Sequence, residues 1–113
     1  MIRRLWHGWA STANADAYER LLLGEVLPGI AARNVPGLRG LEAWRRPENG
    51  DEVEFVTVMS FDDMHAVAAF TGGDPEASVV PERARALLER FDEHSAHYDL
   101  VGDGLAAARS SAR

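Results

Sequence analysis

The sequence predicts an α+β fold of the ferredoxin-like kind: a βαββαβ chain with one antiparallel sheet and its helices on one face. Three observations predict it. Segments with a two-residue apolar period and segments with a helical period alternate in that order. An Asn-Gly turn joins the second and third strands, which makes them an antiparallel hairpin. The third strand is apolar on both of its faces. Helices on one side of the sheet cannot cover the other, and leaving Val56 and Val58 in water is costly. A second copy packed sheet to sheet covers them, so a homodimer is expected.

Each element follows from local chemistry. Ile2 to Ala10 is rich in Trp and aliphatic side chains and reads as the first strand. Ser11 or Thr12 can cap the helix that follows. Tyr18, Leu21, Leu22 and Val26 lie near one face of a helix over Ala13 to Val26, which Pro28-Gly29 interrupts. A short further turn through Ile30-Ala31-Ala32 fits. Val35-Pro36-Gly37 turns the chain into a second strand, Leu38 to Arg46. Pro47 to Asp51 is the hairpin turn, because Asn-Gly accepts positive φ. In Val53 to Phe61, Phe55, Thr57, Met59 and Phe61 share one face. Asp62-Asp63 starts a helix with Met64, Val67 and Ala68 inward, and Gly72-Gly73 ends it. After a loop, Pro81 opens a helix with Ala84, Leu87, Leu88 and Phe91 at amphipathic spacing. His94 to Val101 is the last strand. Residues 1–101 make one domain, and 102–113 read as a frayed tail.

The 113 residues suffice for one domain with a real core, and 46% hydrophobic with 27% charged residues is a folding composition. There is no cysteine and no lysine; all 12 basic residues are arginine. Thiolate metal sites, cysteine nucleophiles, Schiff-base lysines and Walker-type phosphate loops are therefore excluded. A net charge of −6 argues against nucleic acid and anionic membranes as partners. No apolar run is long enough to span a membrane. The start of the chain lacks the apolar stretch of a secretory signal, so cytoplasm is the expected compartment. Arginine in place of lysine, with much alanine, fits a GC-rich bacterial genome.

On three stretches the chain resembles a known family. Trp6-His7-Gly8 on the first strand, Pro36-Gly37-Leu38-Arg39-Gly40 entering the second, and His97-Tyr98-Asp99-Leu100-Val101 on the last look like the antibiotic biosynthesis monooxygenase superfamily. The resemblance covers about residues 1–101. It implies a dimeric α+β barrel in which each subunit has a pocket between its sheet and its helices. Some members oxidise aromatic polyketide phenols to quinones with O₂ and no cofactor; others degrade haem or oxidise quinols. A cofactor-free oxygenase needs a base, a dry apolar site and a holder for the oxyanion, and none of these requires Cys, Lys or a metal.

On that reading His7 is the candidate catalytic base, facing the same side as Leu5 and Trp9. The plainer reading is a histidine satisfied by a carboxylate or backbone partner. Trp9, Phe55, Met59 and Phe61 would line the aromatic pocket, with Met64 and Phe70 as its helix wall, although such stripes are often core. His65 corresponds to the haem-binding helix histidine of haem-degrading relatives. Their strand-1 asparagine and strand-3 tryptophan are replaced here by His7 or Gly8 and by Met59. His97 and Tyr98 alternate, so one could enter the pocket while the other meets the dimer partner. Asn14 reads as a capping residue, and Arg4 and Arg39 as surface arginines that could also neutralise an anion. The histidines are too dispersed for a zinc site, so no metal and no cofactor are expected. The expected function is a cofactor-independent monooxygenase acting on a planar aromatic or hydrophobic small molecule. The alternatives are a non-catalytic binding protein, or an isomerase or cyclase, on the same scaffold.

Overall fold

A computed structural model describes residues 1–111. β1 (Ile2–Ser11) lies inside an antiparallel sheet, flanked by β3 (Glu52–Phe61), with β2 (Leu38–Pro47) beyond it. The other edge of β1 is shared by two short strands. β4 (Leu88–Phe91) pairs with residues 8–10, and β5 (Ala96–Asp99) pairs with residues 2–5. This is the expected ferredoxin-like order, with the last strand split in two.

The split is held by Asp92. Its N–H donates to the carbonyl of His7 at 2.9 Å. Its carboxylate accepts from the N–H of His7 at 3.0 Å, and its carbonyl accepts from Trp6 Nε1 at 3.0 Å. Ladder bonding is thereby replaced where the two strands part, so few polar groups are left unpaired.

Register decides what faces what, because residues opposite each other share a face. Ile2, Arg4, Trp6, Gly8 and Ala10 oppose Phe61, Met59, Thr57, Phe55 and Val53. Ile2, Arg4 and Ala10 on β1, and Val53, Phe55, Met59 and Phe61 on β3, are buried. Helices cover this face. α1 (Thr12–Leu21) is capped by Ser11, whose hydroxyl accepts from the N–H of Asn14 at 3.1 Å. Asp63 caps α3 (Met64–Thr71), and Gly72 ends it with φ 75°. Two apolar clusters result. One joins Ala15, Tyr18 and Leu21 to Val53 and Phe55; the other joins Ala66, Val67 and Phe70 to Ile2, Met59 and Phe61.

Between α1 and α2 (Leu27–Ala32) the helix widens into a π-helical turn, Leu22–Val26. Its last bond runs from the N–H of Leu27 to the carbonyl of Leu22. Pro28 has no N–H to continue the ordinary ladder, so the interruption expected at Pro28 appears as a widened turn.

The remaining part departs from expectation. The amphipathic helix expected from Pro81 to Phe91 is only α4 (Glu82–Arg85), and Leu88–Phe91 is strand β4. Of the four apolar positions only Leu88 and Phe91 lie in the strand, and a register shift at Trp9/Ala10 lets both oppose inward residues of β1, Ala10 and Gly8, whose open edge supplies the partners. Phe91 packs on Trp6 there, with centroids 6.0 Å apart. The expected frayed tail contains α5 (Gly104–Ser111), whose first N–H groups, those of Leu105 and Ala106, are taken by Asp103; residues 112–113 lie outside the described residues.

Candidate functional site

A cleft opens at the seam of the two apolar clusters. Its sheet floor is Arg4, Trp6, Thr57 and Met59. Tyr18, Leu22, Val26, Leu27 and Ile30 form one wall, Phe70 the second, and Val79, Val80, Pro81 and Ala84 close the third. It encloses about 50 Å³ and its lining is mostly apolar. The π-turn adds to its wall through Leu22 and Val26. Gly8 makes room for the indole of Trp6: a Cβ at position 8 would lie 2.7 Å from that ring.

Arg4 supplies the charge. It is 3% exposed. Nη1 donates to the carbonyl of Pro75 at 2.5 Å and to Nε2 of His97 at 2.9 Å, and Nη2 donates to the carbonyl of Ala77 at 2.8 Å. Its Cζ sits 5.5 Å from the Phe70 ring centroid. Desolvation lowers the Arg4 pKa, opposed by Asp74, but a guanidinium stays charged at any physiological pH. Arginine can only donate, so Nε2 of His97 is the acceptor and Nδ1 carries the proton. Burial, then the Arg4 charge, lowers the His97 pKa against the pull of Glu76, which keeps this imidazole neutral at pH 7.

Tyr18 is the second polar group. Burial pushes its phenol up to about 12, so at neutral pH it donates and does not act as a base. Its ring meets Phe55 edge-on at 4.7 Å.

Among the residues expected at the site, Met59 and Phe70 line the cleft. Phe55 and Phe61 share the helix-covered face but are 1% and 0% exposed, packed as core. His97 stands behind Arg4 without lining the cleft. His7 and Trp9 were expected inward; the structure places both on the opposite face of the sheet. There Nδ1 of His7 pairs with Asp92 at 2.7 Å, and Arg90 covers the Trp9 ring at 3.9 Å. His7 and Trp9 share the parity of Leu5, whereas the inward set is Ile2, Arg4, Trp6, Gly8 and Ala10. His65 and Met64 are exposed on α3 and do not reach the cleft. Tyr98 is 57% exposed and sits beside Arg3 on the uncovered face. Arg39 forms a surface pair with Asp62.

Trp6, Tyr18 and Thr57 were not among the expected site residues, and Arg4, expected as a surface arginine that could also neutralise an anion, is instead buried at the cleft floor. The signal for Trp6 was its neighbour Gly8, a strand glycine two residues on that leaves space for a ring. Among the described residues no group of three or more His, Cys, Asp or Glu side chains could hold a metal ion. No described helix is long and apolar enough to cross a membrane.

No protein-family model and no curated protein matches the chain. Solved structures do. A Bacillus cereus protein provisionally named an antibiotic biosynthesis monooxygenase superposes with a TM-score of 0.61 at 11% identity, covering 90% of this chain and 94% of its own. The haem degrader MhuD of Mycobacterium tuberculosis, with two haems in its active site, gives 0.56 at 18% identity over 91% and 98%. A dimeric ferredoxin-like protein from an uncultured marine organism gives 0.56 at 11% over 90% and 95%. The expected likeness to the antibiotic biosynthesis monooxygenase fold is therefore present in the structure, and at these identities the fold is what is shared.

Proposed function

We propose that the cleft binds a planar aromatic small molecule and that the protein is a cofactor-independent monooxygenase working as a homodimer. The observation that carries this reading is the cleft itself: an apolar slot floored by Trp6 and walled by Phe70 with the Tyr18 hydroxyl and Arg4 as its polar points, in a fold shared with monooxygenase structures. The indole offers a stacking face, and the phenol donates a hydrogen bond to a ring oxygen. In balance, a ring CH₂ loses a proton to water at the mouth of the cleft, which returns it when the peroxide forms, and the carbanion passes an electron to O₂. The radical pair collapses to a hydroperoxide, and loss of water leaves C=O. The substrate supplies every electron, and the net change is CH₂ + O₂ → C=O + H₂O. The apolar walls keep solvent from the anion, and the Tyr18 donor stabilises its oxygen.

The enclosed space is far below the ~300 Å³ of a typical ligand site. A fused-ring ligand therefore enters by displacing the wall at residues 79–81, which lies outside regular secondary structure.

The haem chemistry of MhuD does not fit these residues. No histidine lines the cleft, and the α3 histidine, His65, points into solvent.

One observation favours a second reading, binding without turnover: His7, the expected base, is on the other face of the sheet, and no carboxylate or imidazole lines the cleft. The test is oxygen uptake by the purified protein with an anthrone or dihydroxynaphthalene, with and without chelator. Uptake that survives chelation and falls in Trp6→Ala supports the monooxygenase. Ligand binding without uptake leaves the binding protein.

The face opposite the cleft supports the dimer. Leu5, Val56, Val58 and Trp44 form an apolar patch on it with no covering layer among the described residues, and Trp44 is 62% exposed.

A further inference from the structure

We infer that Arg4 forms a carboxylate-binding subsite at the floor of the cleft, so that the ligand is an aromatic monocarboxylate and not a neutral arene. This rests on the reading of the cleft as a ligand site and names the class of its ligand.

A guanidinium has five N–H donors. Arg4 uses three, two on Nη1 and one on Nη2, on Pro75, Ala77 and His97. Nε–H and one Nη2 hydrogen make no bond to a described residue. Those are the two nitrogens through which Arg39 holds the carboxylate of Asp62, at 2.9 and 2.8 Å. The protein thus shows the mode of binding that Arg4 has left open.

The charge balance points the same way. The ion pairs of the described residues involve Arg39, Arg45, Arg46, Arg83, Arg90 and His7, but not Arg4. Arg4 is 3% exposed, whereas the basic side chains of these pairs are 33% exposed or more. Several other arginines of the described residues also lack a carboxylate, but Arg4 is the buried one, and a buried unpaired charge is strongly unfavourable. Two carbonyls, a neutral imidazole and the charge of Asp74, which makes no ion pair with Arg4, ease that cost without cancelling the charge. They also fix the plane of the guanidinium, so little ordering remains to be done on binding.

The rest of the cleft defines the remainder of the ligand. Walls of Leu22, Val26, Ile30 and Phe70 favour an apolar body, and Trp6 favours a flat one. A single carboxylate satisfies Arg4. The cleft lining offers no second cation, which argues against dianions and phosphates.

The test compares 2-naphthoate with 2-naphthamide, two probes of nearly equal shape that differ in charge. Binding is read by calorimetry and by quenching of the cleft tryptophan, Trp6. Naphthoate is expected to bind wild type about tenfold or more tighter than the amide, since a charge-assisted fork adds roughly that much. Arg4→Gln is expected to erase the preference while the amide still binds. If that variant unfolds by circular dichroism, the wild-type comparison decides alone. Equal affinities for the two probes would overturn the subsite while leaving an aromatic cleft. Binding of neither would overturn the subsite and the cleft together. A strong preference for naphthoate with no oxygen uptake supports the subsite and retires only the monooxygenase.

Discussion

Replacing Trp44 by arginine should break the proposed dimer without unfolding the subunit. Trp44 lies on β2 opposite Val56, on the face of the sheet that no helix covers, and 62% of it is exposed in the single chain. A tryptophan carries up to ~250 Å² of surface, so about 150 Å² is available for burial in an interface. At ~25 cal/mol per Å² that is at most about 4 kcal/mol per subunit, and roughly half survives if part of the ring stays wet. Symmetry counts the loss twice. The dimer is therefore weakened by about 4 kcal/mol or more, close to a thousandfold in dissociation constant. Sedimentation velocity over nanomolar to micromolar loading measures it, with circular dichroism to confirm the fold. The reasoning is refuted if wild type sediments as a monomer throughout, or if Trp44→Arg dimerises as tightly as wild type.

Further perturbations test the rest of the structure. Gly8→Val puts a side chain where its Cβ lies 2.7 Å from the Trp6 ring and should cost roughly 1–3 kcal/mol in urea unfolding, together with altered tryptophan fluorescence. Gly37→Ala should cost a similar ~1–3 kcal/mol, because φ is +84° and the new Cβ lies 2.7 Å from that of Ala66. His97 has a lowered pKa in the folded protein, so the unfolded chain binds more protons below its ordinary value. Stability from this group is complete above about pH 6.5 and declines as pH falls through the lowered value; urea midpoints against pH should show it, and His97→Gln should flatten that part of the curve. The raised pKa of Tyr18 has the opposite sign: its contribution is complete below about pH 10 and is lost as pH rises toward about 12, which Tyr18→Phe should remove.

Most of the architecture was legible before any coordinates. Strands with a two-residue period, capping residues at Ser11 and Asp63, and the Asn49-Gly50 turn are local signals, set by backbone sterics and by neighbours a few positions away. The face of β3 that carries Phe55, Thr57, Met59 and Phe61 was equally plain, because large side chains alternate there without interruption. These signals survive in the fold because nothing distant opposes them.

The site was decided by contacts that no local pattern contains. On β1 both faces carry bulky residues, and Arg4 at an inward position breaks the apolar alternation, so Leu5, His7 and Trp9 present an equally good inward set. Arg4 can be buried only because Pro75, Ala77 and His97 arrive from 71, 73 and 93 positions away to accept its hydrogens. Those bonds turn Arg4 and Trp6 inward and send His7 to Asp92 on the far face. Leu88–Phe91 likewise became a strand because β1 had an edge to offer. Local sterics and periodicity determine the elements; the choice of face and the charge at the floor of the cleft depend on polar partners that only the folded chain brings together.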